Sequence, residues 1–319
     1  MRPKRVVAAM RAIGIDDFGQ ELRVLDVPEP HAGPGEVRVR VHAVAVNPTD
    51  TGVVSGRYRE RHAEHGPYIP GADAAGVIDE VGDGSTRWNV GDRVALVVVP
   101  YREAGGTYAD YVVVPETSVL RLPDDIDFAH GTTFLMNALT ARLLLDELGL
   151  SAGQTLAVTG AAGAFGQYAV QMAGADGLRV IADAAEKDEE LVRSFGPDEV
   201  VRRGDNVAQR IREVASDGVD GLIDGSVQGE QTIAAVKDGG VIGSVRGWSG
   251  ELERGITAKA VLVYQHVDRD DLIRGLERQL ADGVYALRVA EVLPAALAVD
   301  AHLRLAAGGV RGRLVLDFS

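Results

Sequence analysis

The residues best suited to chemistry lie in Leu156-Ala157-Val158-Thr159-Gly160-Ala161-Ala162-Gly163-Ala164-Phe165-Gly166, where an apolar run passes through small residues into a helix-like segment. A turn of this kind lets a pyrophosphate approach the backbone beside the N–H groups and positive end of a helix. Gly163 permits the close approach and Gly166 lets the helix pack tightly on the strand. Ala161 stands where the commonest fingerprint has its first glycine, so the motif is a variant. The spacing predicts that residues 160–166 hold a dinucleotide, although small residues also serve ordinary strand-to-helix turns. Asp183 ends the next strand-like segment, 20 positions after Gly163, where an acid would hold the ribose 2′-hydroxyl of NAD. Lys187 follows it, and Arg202-Arg203 closes the segment beyond, where cations favour the 2′-phosphate of NADP. An Arg fork suits phosphate geometry better than Lys does. NADPH is the expected cofactor and NADH the second choice, with solvated surface charge as the other reading of these cations.

The elements that must position this loop follow from periodicity. Residues 37–41 alternate Val-Arg-Val-Arg-Val, the pattern of a half-buried strand, and Gly-rich turn signals punctuate the chain to about residue 119. After Pro123-Asp124-Asp125 the period changes, and residues 128–148 have helical spacing. Strand patterns at 156–159, 180–182, 221–224 and 241–245 then alternate with helical ones at 166–173, 187–195, 207–215 and 231–236. That alternation predicts an α/β fold with a doubly wound parallel sheet over residues 126–265. A helix at 295–307 and a strand at 312–318 are expected to return to the first domain, so that residues 1–125 and 266–319 form one β-rich unit.

Composition narrows the function classes. A length of 319 residues suits two domains, and 46% hydrophobic with 25% charged residues is ordinary for a soluble globular protein. No apolar run approaches the roughly 18 residues that span a bilayer. The basic start at residues 1–5 is followed by too short an apolar stretch for a signal peptide, so a cytoplasmic protein is expected. A net charge of −14 argues against nucleic-acid and anionic-membrane partners. The absence of cysteine excludes disulfides, iron–sulfur clusters, thiolate nucleophiles and thiolate-bound zinc.

Longer motifs carry a family resemblance. Residues 35–41 and Val46-Asn47-Pro48-Thr49-Asp50 look like the opening of a medium-chain dehydrogenase/reductase, as do residues 69–78, 90–94 and 105–111. Residues 308–316 resemble the ending of the quinone oxidoreductase (zeta-crystallin-like) branch. The resemblance implies a GroES-like β-rich catalytic domain beside a Rossmann domain. It also shows departures. Zinc alcohol dehydrogenases carry a Cys ligand where this chain has Asn47, and a Gly-His-Glu segment where it has Gly71-Ala72-Asp73; the lobe with four structural Cys is missing. His62 and His65 lie in a polar loop and are expected to be solvated, so the protein is expected to be metal-free.

Without a metal to polarise a carbonyl, the substrate must already be electron-poor, which suits a quinone or an α,β-unsaturated carbonyl. The resemblance places Asn47 beside the nicotinamide, where its amide would bond cofactor or substrate oxygen. Asp50 would fix that loop or serve a purely structural role, and Tyr58 corresponds to a Tyr at the pocket, as proton donor, ring partner or simple packing residue. Thr140 would contact the cofactor, and Ser244, Val245, Arg246 and Gly247 would form the loop under the nicotinamide. Arg246 either reaches an acidic group or faces solvent. Tyr264, Gln265 and His266 line the pocket or a dimer edge. The expected protein is an NADPH-dependent quinone or enone reductase, a homodimer acting on a small molecule. An enoyl-thioester reductase, or an NADPH-binding protein with little turnover, are the alternatives.

Overall fold

The computed structural model describes residues 8–62 and 64–319, so the basic start at residues 1–5 lies outside the described part. Two compact units result. Unit 1 takes the chain up to Met136 together with Tyr264–Asp282 and Leu287–Ser319; unit 2 takes Asn137–Val263 and Gly283–Ala286.

Unit 1 opens with β1 (Ala9–Gly14) and β2 (Arg23–Pro28), an antiparallel pair. Then come β3 (Glu36–Ala45), α1 (Pro48–Val54), β4 (Asp73–Val81), β5 (Arg93–Val97), β6 (Tyr111–Pro115), β7 (Val119–Arg121) and α2 (Phe128–Gly131). β3 pairs antiparallel with β4 and β6, β4 with β5, and β5 with β7. The alternation in β3 buries Val37, Val39 and Val41 and exposes Arg40. Arg38 departs from it: the side chain is buried, bidentate to Asp79 at 3.0 and 2.9 Å and bonded to Glu29 at 2.7 Å. A charge on a core strand is tolerated here because carboxylates surround it.

The helical pattern at 128–148 is interrupted. α2 stops at Gly131 and α3 (Leu135–Leu148) begins anew. Packing explains the break: a Cβ on Gly131 would lie 2.6 Å from Leu122, and the buried Thr132 hydroxyl accepts the Ala45 N–H at the end of β3.

In unit 2, the elements are β8 (Thr155–Thr159), α4 (Ala164–Ala175), β9 (Arg179–Ala184), α5 (Glu189–Arg193), β10 (Glu199–Arg202), α6 (Val207–Val214), β11 (Val219–Asp224), β12 (Val236–Ser244) and β13 (Thr257–Ala260). The strands form a wholly parallel sheet in the order β10-β9-β8-β11-β12-β13. This is a doubly wound order that reverses between β8 and β11, and ligands bind at such reversals. β8, β9 and β11 are almost continuously buried, as strands covered on both faces must be. Residues 231–236, expected as a helix, are instead a 3-10 segment (Gly229–Ala235) running into β12, because Val236 pairs with Val219.

The chain then returns to unit 1 with α7 (Asp270–Ala281), β14 (Val289–Pro294), α8 (Ala298–Ala307) and β15 (Arg313–Asp317). β15 lies antiparallel to the far end of β3 and parallel to β14. No described helix is long and apolar enough to cross a membrane.

The β3–β4 pairing sets Asp73 opposite Ala45, and it depends on Gly76. A Cβ there would sit 2.0 Å from the Arg40 carbonyl oxygen. Gly76→Ala should therefore destabilise the protein by about 1–3 kcal/mol, measured by urea unfolding, the range of a forced overpacking. Wild-type stability would mean that the two strands do not approach this closely.

Candidate active site

In unit 2 the loop between β8 and α4 is built around glycines. Gly160 has φ +72, and a Cβ on it would fall 2.8 Å from the Gly225 carbonyl carbon. A Cβ on Gly166 would be 2.3 Å from the Gly160 oxygen, so the first turn of α4 packs directly on the loop. Gly163 is the helix N-cap and has no side chain to cap with. Ala161 and Ala162 are buried, and Ala164 and Phe165 begin the helix. Asp183, 2% exposed at the end of β9, accepts the Ala161 N–H at 3.1 Å through Oδ1; its Oδ2 has no partner among the described residues. Burial raises its carboxyl, opposed by the Ala161 bond and the Arg203 charge. Arg203 and Lys187 are exposed, whereas Arg202 pairs with Glu186. This cradle fits a dinucleotide: a close backbone approach, a helix N-terminus, and an orphaned buried oxygen that a ribose hydroxyl would satisfy. The Ser244 hydroxyl donates to the Gly247 carbonyl at 2.8 Å, which closes a tight turn with Arg246 exposed and Val245 half-buried. Thr140 is half-buried on α3.

In unit 1 the register of β3 and β4 brings Asp73 beside Asn47, just past the end of β3. Asn47 is 1% exposed. Its Nδ2 donates to Asp73 Oδ2 at 2.8 Å and to the Ala45 carbonyl at 3.3 Å. A carboxylate only accepts, so it fixes which end of the amide faces it. Asn47 Oδ1 is buried and makes no full hydrogen bond among the described residues, although the capping box of α1 turns it toward the Asp50 N–H. The amide is thus not the donor expected from sequence: its N–H groups are committed, and an acceptor is what it offers. Asp50, at the third position of α1, accepts the Asn47 N–H (2.7 Å), the Gly71 N–H (3.2 Å) and the Tyr108 hydroxyl (3.3 Å). Tyr108 then receives a bond from His302 Nε2 at 3.1 Å. Asp73 Oδ1 accepts the Met136 N–H at 2.8 Å.

Asn47 and Asp50 therefore meet in one network. Tyr58 does not join it; its ring lies 5.5 Å from Tyr101, and Tyr101 lies 5.2 Å from Tyr264, whose hydroxyl is 2.6 Å from Thr49 Oγ1. His62, expected to be solvated, packs against Phe18, Tyr68 and Tyr101 at 5.4, 5.1 and 6.0 Å, and burial lowers its pKa. His65 is exposed as expected. Sequence reasoning misses Asp73, Tyr108 and His302 as members of this network. Asp73 is visible as the acid of Gly71-Ala72-Asp73, but nothing local marks His302.

The alcohol dehydrogenase GroES-like domain family matches residues 33–124, and the zinc-binding dehydrogenase family matches residues 164–275. Quinone oxidoreductase from Sus scrofa is 30% identical over 327 residues, covering 96% of this chain and 97% of the relative. Quinone oxidoreductase from Rattus norvegicus is 34% identical over 226 residues, 67% of this chain; that match spans 66% of the relative's length. An alcohol dehydrogenase superfamily protein from Novosphingobium aromaticivorans superposes with a TM-score of 0.88 at 23% identity, covering 98% of this chain and 100% of that one, which establishes the shared fold. The chain belongs to the medium-chain dehydrogenase/reductase superfamily, in its quinone oxidoreductase branch. As a medium-chain dehydrogenase/reductase it has a GroES-like domain and a Rossmann-like domain, and its cofactor is a nicotinamide dinucleotide. Among the described residues no group of three or more His, Asp or Glu is placed to hold a metal ion.

In this medium-chain reductase the network's acids titrate far from their usual range. Burial raises the Asp50 carboxyl to about 7; Asp73 adds to the rise, while the Asn47 N–H, the Tyr108 hydroxyl and Arg313 oppose it. Burial raises Asp73 to about 6, against Arg313 and the bonds from Asn47 and Met136. Burial lowers His302 to about 4. A carboxyl raised on folding holds its proton in the native state after the unfolded chain has released it, so its stabilising contribution is lost as pH rises from about 4 to about 7. His302 acts with the opposite sign from about 6.5 down to 4. Comparison of wild type with Asp50→Asn isolates the carboxyl. Between pH 5 and 7 the wild type should lose stability relative to this variant by about 1 kcal/mol per pH unit, in urea titrations. Parallel curves would show that Asp50 does not carry a raised pKa.

Proposed function

We propose that this protein is a zinc-independent, NADPH-dependent oxidoreductase that transfers hydride to a quinone or an α,β-unsaturated carbonyl. The observation that carries the proposal is the Asn47–Asp73 bond. Where zinc-binding relatives are expected to carry a Cys and a His ligand, this chain has Asn47 and Ala72, and the Asn47 amide is bonded to Asp73, the residue after Ala72. The relatives named quinone oxidoreductases support the same reading.

The nicotinamide, when bound, supplies a hydride. The protein's own part is binding, orientation and control of polarity. Residues 160–166 take the pyrophosphate on backbone N–H groups, and Arg203 with Lys187 neutralises a 2′-phosphate at the edge of the loop. Thr140 and the Ser244–Gly247 turn are proposed as further cofactor contacts. Asn47 presents Oδ1 to a ligand hydrogen-bond donor, Asp73 prevents the amide from turning over, and Asp50 can hold a proton at neutral pH. A conjugated acceptor delocalises the charge it gains, which suits a site whose polar groups are acceptors. Tyr58, with Tyr101 and Tyr264, offers aromatic surface for a planar ring. The proposed setting is cytoplasmic and the proposed assembly a homodimer.

One observation favours NADH as a second reading: the unpartnered Asp183 Oδ2 suits a ribose hydroxyl and would face a 2′-phosphate with like charge. Binding titrations decide between them. Arg203→Ala should weaken NADPH by roughly tenfold, about 1.4 kcal/mol, with NADH nearly unchanged. Equal effects on both, with NADH the tighter ligand of the wild type, would transfer the assignment to NADH.

Turnover is tested by NADPH oxidation with 1,4-benzoquinone, with a simple enone and a crotonyl thioester alongside. Asn47→Ala should lower kcat on the quinone by about 10-fold or more while the NADPH Kd stays within about twofold. Undiminished kcat in the folded variant would reduce Asn47 to a structural residue. No turnover by the wild type on any of these acceptors would leave a nucleotide-binding protein instead of a reductase.

A further inference from the structure

In unit 1, α1 packs against α8, and the two helices border a pocket of about 380 Å³ together with the loop at residues 19–22. That volume is in the range of small-molecule sites. Its walls are mostly apolar, from Leu22, Val54, Val299, Leu303 and Ala306. Leu303 is 64% exposed, so apolar surface stands in water here and an apolar occupant would cover it. The polar side chains in the lining are Glu21, Thr51, Ser55 and His302. Each presents an acceptor. The Thr51 hydroxyl donates its only proton to the Pro48 carbonyl at 2.8 Å, and the Ser55 hydroxyl donates to the Gly52 carbonyl at 3.2 Å. Glu21 offers carboxylate oxygens. The polarity of His302 is set by the network behind it. An ionised Asp50 only accepts, so Tyr108 spends its one proton there at 3.3 Å, and its 3.1 Å contact with His302 then requires the proton on Nε2. Burial keeps this ring neutral, with its pKa lowered to about 4, so Nδ1 is a bare acceptor. Nδ1 makes no hydrogen bond among the described residues and is not fully enclosed.

We infer that this pocket is a binding site for a small apolar molecule carrying a hydroxyl group, a phenol or an alcohol, whose hydroxyl donates to His302 Nδ1. An ether or a ketone brings only acceptors to a pocket of acceptors, and an ammonium group would lose hydration to apolar walls. The site is separate from the nucleotide cradle of unit 2 and does not depend on hydride transfer. It nevertheless bears on the Asn47–Asp50 network. A donor on Nδ1 keeps the ring proton on Nε2, and with it the Tyr108 hydroxyl directed at the Asp50 carboxylate.

The test titrates the full-length protein with phenol and with anisole, which has the same ring and oxygen but no proton to donate, by ligand-observed NMR. Wild type should bind phenol about fivefold more tightly than anisole, the worth of one hydrogen bond. Ala306→Trp, at an exposed position on α8, fills the pocket and should abolish binding of both. His302→Phe keeps an aromatic ring without Nδ1 and should bind the two equally. No phenol binding by the wild type, or binding that survives Ala306→Trp, would overturn the site. Equal affinities in the wild type, or a phenol preference retained in His302→Phe, would overturn the hydrogen bond to His302. Should His302→Phe fail to fold, the wild-type preference and the Ala306→Trp result still decide.

Discussion

Unit 1 is organised by the need to bury two carboxylates with less than equal positive charge. Asp50 and Asp73 are almost fully enclosed, and Arg313 supplies the nearby cation that lowers both. Carboxylates so placed are tolerable only when donors meet their lone pairs or a proton neutralises them. Both remedies operate. Donors come from Asn47, Gly71, Tyr108 and Met136, which lie at the ends of β3 and α3 and in two intervening loops. Satisfying two acids therefore joins segments far apart in the chain. Gly71 illustrates how tight this is: it has φ +106, and a Cβ on it would lie 2.3 Å from the Thr107 hydroxyl. Within this network Asn47 Oδ1 is the weakly met acceptor, with no full hydrogen bond among the described residues.

Unit 2 repeats the device with single acids at strand ends. Asp183 bonds the start of the cofactor loop, Asp224 bonds the loop after β11, Asp198 bonds Val180 at 2.7 Å and Asp220 bonds Thr155 at 2.8 Å. Each uses a carboxylate to fix a backbone N–H where a strand begins or ends. A loop held this way before a ligand arrives has little ordering entropy left to lose on binding. Preorganisation of this kind is consistent with an acidic protein binding an anionic cofactor. In the proposed reading the anion would be met by backbone N–H groups and a few exposed cations at the edge of the loop.

Local chemistry is well expressed in the sequence. The glycine turn, the strand alternation of β3 and the alternating strands and helices of the parallel sheet all arise from residues close together in the chain. Interruptions are not visible there, because tertiary contacts cause them: the break between α2 and α3 depends on Thr132 meeting Ala45, and the 3-10 segment before β12 depends on Val236 pairing with Val219. The network is half visible for the same reason. Asn47 and Asp50 are three residues apart on a cap-like motif, whereas Tyr108 meets His302 across 194 positions. Arg38 shows the converse: a period-2 pattern marks it as solvent-facing, and only the positions of Asp79 and Glu29 explain its burial.

The polarity of the Asn47 amide bears most directly on chemistry. An asparagine in isolation offers a donor and an acceptor equally, and a donor is what a developing oxyanion requires. Asp73 removes that choice by taking the N–H, so the direction of the amide is decided 26 positions away in sequence. An amide that offers an acceptor favours a neighbouring group carrying a hydrogen and does little for a negative oxygen. Under the proposed function, activation resides in the substrate's own conjugation, the property that quinones and enones share and isolated ketones lack. The Ala45 carbonyl, 3.3 Å from the same Nδ2, holds the amide in this direction as well, so its polarity does not rest on Asp73 alone.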